Sequence, residues 1–216
     1  MIRVALVGGL GMMLSPAAKH WRGCSAIEVV SVLDRGNSSM RCQVARRSWQ
    51  DYGAECVPDY EALFRAGPIH AVIICAGKHG DDLGIITNIL ENWNFDNIEQ
   101  PFILHMSTLS PKFVDAAYTV CQNQGLHYLH YPITGGVKGA QDGKLLIMAS
   151  GEERLYQAFL PWLRCLGQPV YFGIHPSLAT RVKLISHCMV FAGVLGMSSA
   201  ISLREVALGE PMLGQV

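Results

Sequence analysis

Over its first 176 residues the chain alternates short β-branched and aliphatic runs with helix-length stretches, the signature of parallel strands joined by crossover helices. Strands are expected over residues 2–7, 28–33, 70–75, 102–106, 126–131, 145–149 and 170–172. Helices are expected over 12–21, 40–50, 60–65, 81–93, 111–124 and 152–165. Ala71-Val72-Ile73-Ile74-Cys75 is apolar without a break, as a strand is when helices cover both faces of its sheet. Ser110-Pro111 offers a cap and a first-turn proline to the helix that follows. The expected class is α/β, with a doubly wound, mostly parallel sheet.

Such a sheet needs a large core, and half of the 216 residues are apolar. Only 16% are charged, against about 25% in an ordinary globular domain, so disorder is excluded as the main state. Lys plus Arg and Asp plus Glu both number 17. No net field therefore draws the chain to nucleic acid or to an anionic membrane, and neither is expected as a partner. The seven cysteines are scattered, without a C-x-x-C pair or zinc spacing, which fits reduced thiols in a cytoplasmic protein and no metal centre. The apolar run at the N-terminus is too short for a signal peptide and reads as a first strand.

Past residue 176 the alternation stops. One helix is expected from 177 to about 207, broken by Gly209-Glu210-Pro211. Its stretch 184–203 is 20 residues without a formal charge, which is membrane-spanning length. Ser186, His187, Ser198, Ser199, Ser202, Gly193 and Gly196 within it favour burial between protein parts instead. An α/β domain has little surface left for such a helix, so it should pack on another chain or on further helices.

Strand one runs into Gly8-Gly9-Leu10-Gly11-Met12-Met13, with Leu14 where a third spaced glycine would fall. Gly9 and Gly11 let a backbone turn approach a pyrophosphate; the missing third glycine costs only close helix packing. Asp34, at the end of the second strand, stands where a carboxylate accepts the hydroxyls of an adenosine ribose. A dinucleotide turn explains this order better than a plain strand-to-helix turn, and makes the fold Rossmann-type. Arg35 beside Asp34 would welcome a 2′-phosphate that the carboxylate repels. Because Asp34 lies nearer the strand end, NAD is expected, with NADP left open.

Several ordered motifs then resemble the β-hydroxyacid dehydrogenases, which include 3-hydroxyisobutyrate dehydrogenase and tartronate semialdehyde reductase and are related to 6-phosphogluconate dehydrogenase. They are the glycine turn with Ser15-Pro16, His105-Met106-Ser107-Thr108-Leu109-Ser110-Pro111, Pro132-Ile133-Thr134-Gly135-Gly136-Val137-Lys138-Gly139-Ala140 with Asp142-Gly143, and Lys183. The segment after Pro132 is the most specific, because its glycine pattern is hard to obtain from a generic turn.

The resemblance implies an oxidoreductase that moves hydride between a nicotinamide cofactor and a small β-hydroxyacid. It implies that Thr134, Gly135 and Gly136 anchor the substrate and that Lys183 is the catalytic acid/base, with Ser186 and His187 beside it. Cofactor contacts are expected at Gly9, Leu10, Gly11, Met12, Met13, Asp34, Arg35, Cys75, Ala76, Gly77, Ser107 and Thr108. The chain departs from the family's pattern at His105, usually acidic, at Thr134, usually serine, and at Ala179 and Ser186, which replace a glycine and an asparagine around Lys183.

In the family an all-α C-terminal domain closes the pocket, often across a dimer. Residues 1–176 are therefore expected to form the dinucleotide-binding domain. Residues 177–216 form the interdomain helix and the start of a helical domain that this chain does not complete, and a homodimer is the expected assembly. A catalytically silent dinucleotide module, an assembly fragment whose terminal helix pairs with another chain, and an imine reductase on the same scaffold are the rival readings. His127 and His130, three apart on one strand, point to opposite faces and are not expected to share a metal.

Overall fold

A computed structural model describes residues 1–77 and 82–208. Asp81, expected to open a helix, and the Gly209-Glu210-Pro211 breaker lie outside these. The chain divides into two compact units, Met1–Thr180 and Arg181–Val216.

In the first unit β1 (Ile2–Val7), β2 (Ile27–Leu33), β3 (Glu55–Val57), β4 (Ala71–Ile74), β5 (Phe102–His105) and β6 (His127–His130) form one sheet in the order β3-β2-β1-β4-β5-β6. Every pairing in it is parallel. Each crossover carries a helix: α1 (Ala17–Trp21), α2 (Met40–Tyr52), α3 (Tyr60–Leu63), α4 (Asp82–Asn92) and α5 (Pro111–Gln122). Along β1 the side chains alternate between two cores. Val4 and Leu6 join Trp21, Trp49 and Trp162 on one face, whereas Ala5 and Val7 join Ile85, Ile86 and Ile89 on the other. That two-sided burial is why β4 and β5 carry no polar residue before His105.

A second, three-stranded sheet follows, built from β7 (Ile133–Thr134), β8 (Leu145–Ala149) and β9 (Gly167–Tyr171). The helices α6 (Gly136–Asp142) and α7 (Glu153–Leu166) connect these strands. β7 is antiparallel to β8, and β9 is parallel to it at the edge, where Pro169 can lack an N–H without breaking an inner ladder.

One sequence expectation is corrected, and three elements were not foreseen. The helix expected from residue 12 begins only at Ala17, because Pro16 has no N–H to bond back and disfavours helical backbone at Ser15. Residues 8–15 instead form a chain of turns. The short edge strand β3 and the β7–α6 pair carry too little hydrophobic period to have been read from sequence. The Ser110 cap is present, its hydroxyl accepting from the Phe113 N–H at 3.2 Å.

The second unit is carried by the long helix α8, whose span Leu178–Leu208 opens in the first unit. By length and composition its stretch Leu178–Arg204, mean hydropathy 1.7, is apolar enough to cross a membrane. Its large apolar side chains Met189, Val190, Phe191, Leu195 and Met197 are exposed.

Candidate functional site

The strand order reverses between β1 and β4, the place where open α/β sheets leave a crevice beyond their carboxyl ends. The glycine turn sits there, and there is no room in it for side chains. A Cβ on Gly8, whose φ is +89°, would lie 2.3 Å from the Cys75 carbonyl oxygen. One on Gly9 would meet Val32 Cγ1 at 2.7 Å, and one on Gly11 the Gly8 carbonyl oxygen at 3.0 Å. Sequence reading assigned Gly9 and Gly11 and passed over Gly8, although the doubled glycine was the available signal. The turn is closed by Gly11 N–H donating to Gly8 O (2.8 Å) and Ser15 N–H to Gly11 O (2.9 Å). From α2, Trp49 Nε1 donates to Gly9 O at 2.9 Å and pins the turn from behind. Leu14 is buried in the core, where the spaced glycine of other such turns would only permit closer packing.

Beside this turn lies a cleft of about 380 Å³. It gathers Gly8, Leu10 and Gly11 with Asp34 and Arg35 after β2, and with Cys75, Ala76 and Gly77 after β4. Of the expected cofactor set, Gly9, Met12, Met13, Ser107 and Thr108 do not line its walls. Asp34 accepts from Gly36 N–H at 3.0 Å and pairs with Arg46 Nε. The Arg46 hydrogen bond holds the Asp34 carboxyl below the usual carboxylate range. Arg41 also faces the cleft and donates from Nη1 to Leu10 O at 3.1 Å. Arg46 thus engages the one carboxylate of the cleft, while Arg35 and Arg41 line its wall. Arg41 and Arg46 escaped sequence reading, since only the path of α2 brings Arg46 to Asp34 and Arg41 to the cleft.

Next to the cleft, Ser107 Oγ donates to Ala76 O at 2.6 Å, so the turn after β5 is tied to the turn after β4. Thr108 is exposed. Behind this join lie two fully buried histidines that face each other in register, His105 ending β5 and His130 ending β6. His105 Nδ1 is 3.0 Å from the Tyr128 hydroxyl, and its Nε2 is 3.4 Å from an Asp82 oxygen. Burial outweighs that carboxylate and lowers the His105 pKa. His130 Nε2 donates to Ser107 O at 2.8 Å. Burial, with His105 alongside, pushes its imidazole down to about 3.

The segment expected to anchor substrate is a strand end followed by a helix. Thr134 closes β7 opposite Leu146. Gly135 and Gly136 take φ values of +125° and +63°, and α6 begins at Gly136. Only glycine turns this corner without strain. In α6, Lys138 pairs with Asp142 at 3.0 Å and Gly143 closes the helix in left-handed geometry. These motif residues hold the helix itself.

In the second unit Lys183, Ser186 and His187 lie on α8. Lys183 is buried, and desolvation keeps its amine below the ordinary lysine value. Ser186 Oγ donates to Lys183 O at 2.8 Å, so the hydroxyl expected to face substrate is spent on its own helix. The His187 ring stands edge-on to Phe191 at 5.9 Å. Desolvation first, and then the charge of Lys183, lower its pKa.

The family model of the NAD binding domain of 6-phosphogluconate dehydrogenase matches residues 3–175, and the chain belongs to this class of dinucleotide-binding domains. Within that class, it belongs to the β-hydroxyacid dehydrogenase family. It is 31% identical to an uncharacterized oxidoreductase of Synechocystis over 206 residues, 92% of this chain and 66% of that protein. It is 30% identical to mitochondrial 3-hydroxyisobutyrate dehydrogenase of Drosophila melanogaster over 98 residues, 45% of this chain and 30% of that enzyme. Among solved structures, 3-hydroxyisobutyrate dehydrogenase of Mycobacterium tuberculosis superposes with a TM-score of 0.78 at 20% identity. That match covers 98% of this chain and 67% of that one. An imine reductase from Myxococcus stipitatus solved with NADP+ gives the same TM-score at 13% identity, with coverages of 98% and 68%. At these identities the two structures speak for the fold. The chain spans about a third of the length of the first curated relatives it matches.

Proposed function

We propose that this protein is a nicotinamide-dependent oxidoreductase acting on a small β-hydroxyacid of the 3-hydroxyisobutyrate or 2-hydroxy-3-oxopropionate kind. The observation that carries the reading is the glycine turn without space for a Cβ, at the point where strand order reverses, opening onto a cleft that holds Asp34. That cradle fits a dinucleotide pyrophosphate, with the adenosine ribose toward Asp34 and the nicotinamide end toward Ala76, Gly77 and Ser107. When bound, the nicotinamide supplies or receives the hydride.

The chain's own groups do the rest. Thr134 with the backbone of Gly135 and Gly136 holds the substrate carboxylate, and His187 supplies a donor. Lys183, its charged form disfavoured by desolvation, takes the hydroxyl proton in oxidation and returns it in reduction. Residues 1–176 serve as the dinucleotide domain, and residues 177–216 as the interdomain helix and the start of a helical domain. A second copy covers the exposed apolar side of α8 in a cytoplasmic homodimer, without nucleic acid or membrane.

For the cofactor, the Asp34 end of the strand by itself favoured NAD. Arg46 engages that carboxylate, and Arg35 and Arg41 line the same cleft; together these support a 2′-phosphate, so NADP(H) is the tighter ligand in this proposal. Titration with NADPH and NADH, before and after Arg46→Ala, tests this; NADPH should lose about tenfold and NADH little. Equal loss for both would remove the preference. Turnover is tested by following reduced nicotinamide with a panel of β-hydroxyacids. Tight cofactor binding with no turnover of any of them would leave a dinucleotide-binding module instead.

A further inference from the structure

We infer that His130 is a positioning residue for the nicotinamide end of the cofactor: it holds the Ser107 turn in place, and Ser107 in turn holds the Ala76 turn at the wall of the cleft. The inference rests on the cofactor reading above.

The sheet's own hydrogen bonds stop just short of these turns. The last rungs are Cys75 N–H to Val7 O (2.9 Å), Met106 N–H to Ile74 O (2.7 Å) and Tyr131 N–H to His105 O (2.9 Å). Beyond them two side chains continue the stitching. His130 reaches from β6 to Ser107 O at 2.8 Å, and Ser107 reaches from the end of β5 to Ala76 O at 2.6 Å. The line ends on the glycine turn, since the Cys75 carbonyl is the atom against which Gly8 is packed. Three loops that would surround a bound dinucleotide are therefore set by one run of contacts beginning at a residue outside the cleft.

The chemistry of the imidazole suits this task. A carbonyl oxygen only accepts, so Nε2 carries the proton and Nδ1 is left as a bare acceptor. That Nδ1 is buried with no hydrogen-bond partner among the described residues. Leaving a buried acceptor unmade costs stability, and an apolar side chain would fill the position without that cost. A purely structural role thus gives no account of the histidine, whereas the single directed donor to Ser107 does. Around it stand His105 from β5 and Asp82 from α4, and its burial keeps it neutral, so the donor persists throughout the pH range in which a dehydrogenase works.

Calorimetry on the full chain tests the assignment with two probes. NADPH spans the whole cleft; adenosine 2′,5′-bisphosphate occupies only its adenosine end. His130→Leu should weaken NADPH five- to tenfold, the equivalent of about one net hydrogen bond, and leave the bisphosphate within twofold. His130→Gln, which keeps an amide donor at the reach of Nε2, should restore NADPH. Ser107→Ala should repeat the selective loss, and it serves as the deciding variant if His130→Leu does not fold. Equal weakening of both probes would reduce His130 to a structural residue, and unchanged NADPH binding in His130→Leu and Ser107→Ala would overturn the inference. Failure of wild type to bind either probe would instead refute the cofactor reading.

Discussion

Replacing Gly8 by alanine separates a functional glycine from one that merely turns the chain. Two penalties apply. Its φ of +89° is a backbone region L-residues avoid, at about 1–2 kcal/mol. The new Cβ would also stand 2.3 Å from the Cys75 carbonyl oxygen, roughly 1 Å inside normal contact. That carbonyl leaves directly from the strand end, where the preceding peptide's Cys75 N–H is bonded to Val7 O. Moving the turn instead costs on the order of 1–3 kcal/mol, as overpacking does. The sum, about 2–5 kcal/mol, falls within the roughly 5–15 kcal/mol stability of a typical domain, so the variant should fold with a Tm lower by about 5–15 °C. Cofactor affinity should fall more than a hundredfold, because the displaced turn is the surface the pyrophosphate would meet.

Gly53→Ala is the control. Its φ is +108°, but a Cβ there has no atom within 4 Å, so only backbone strain applies, roughly 1 kcal/mol, and binding should not change. Denaturant unfolding and NADPH calorimetry on the two variants decide the matter. A folded Gly8→Ala protein that binds NADPH within about threefold of wild type would refute the reasoning.

Other outcomes follow from the same geometry. Lys183→Ala should reduce turnover by about 10² to 10⁴ with cofactor affinity nearly constant, and Lys183→Arg should fare little better because guanidinium keeps its proton; retained activity in the alanine variant on the best hydroxyacid would remove the assignment. His130 has a folded pKa of about 3, below the ordinary value near 6.5, so the unfolded chain takes up the proton first. Stability from that group is therefore complete above the ordinary value and is lost as pH falls toward 3, at up to about 1.4 kcal/mol per pH unit. His130→Gln should flatten this slope in denaturant titrations run at several pH values, and an unchanged slope would clear His130 of the effect. The exposed apolar side of α8 should drive self-association. Sedimentation showing a clean monomer at high concentration would exclude it.

Strand and helix alternation made the parallel sheet legible in the sequence, because continuous burial forces continuous apolar runs such as 71–75 and nothing polar survives there. The glycine turn and Asp34 were legible for a similar reason: each depends on local backbone or on the end of one strand. Residues that meet only across the fold were not legible. Arg46 reaches Asp34 through the path of α2, and His130 reaches Ser107 because β5 and β6 pair in register. The helix expected from residue 12 failed because Pro16 removes a donor in the middle of an otherwise helical pattern, and the short β7 was hidden because two residues carry no period. Sequence periodicity determined the class of fold, which follows from which side chains avoid water, and the glycines marked the place of the turn, which follows from local backbone. Which charges neutralise one another and which histidine reaches a loop were decided by tertiary structure alone, because each is a matter of a few tenths of a nanometre between residues separated in the chain.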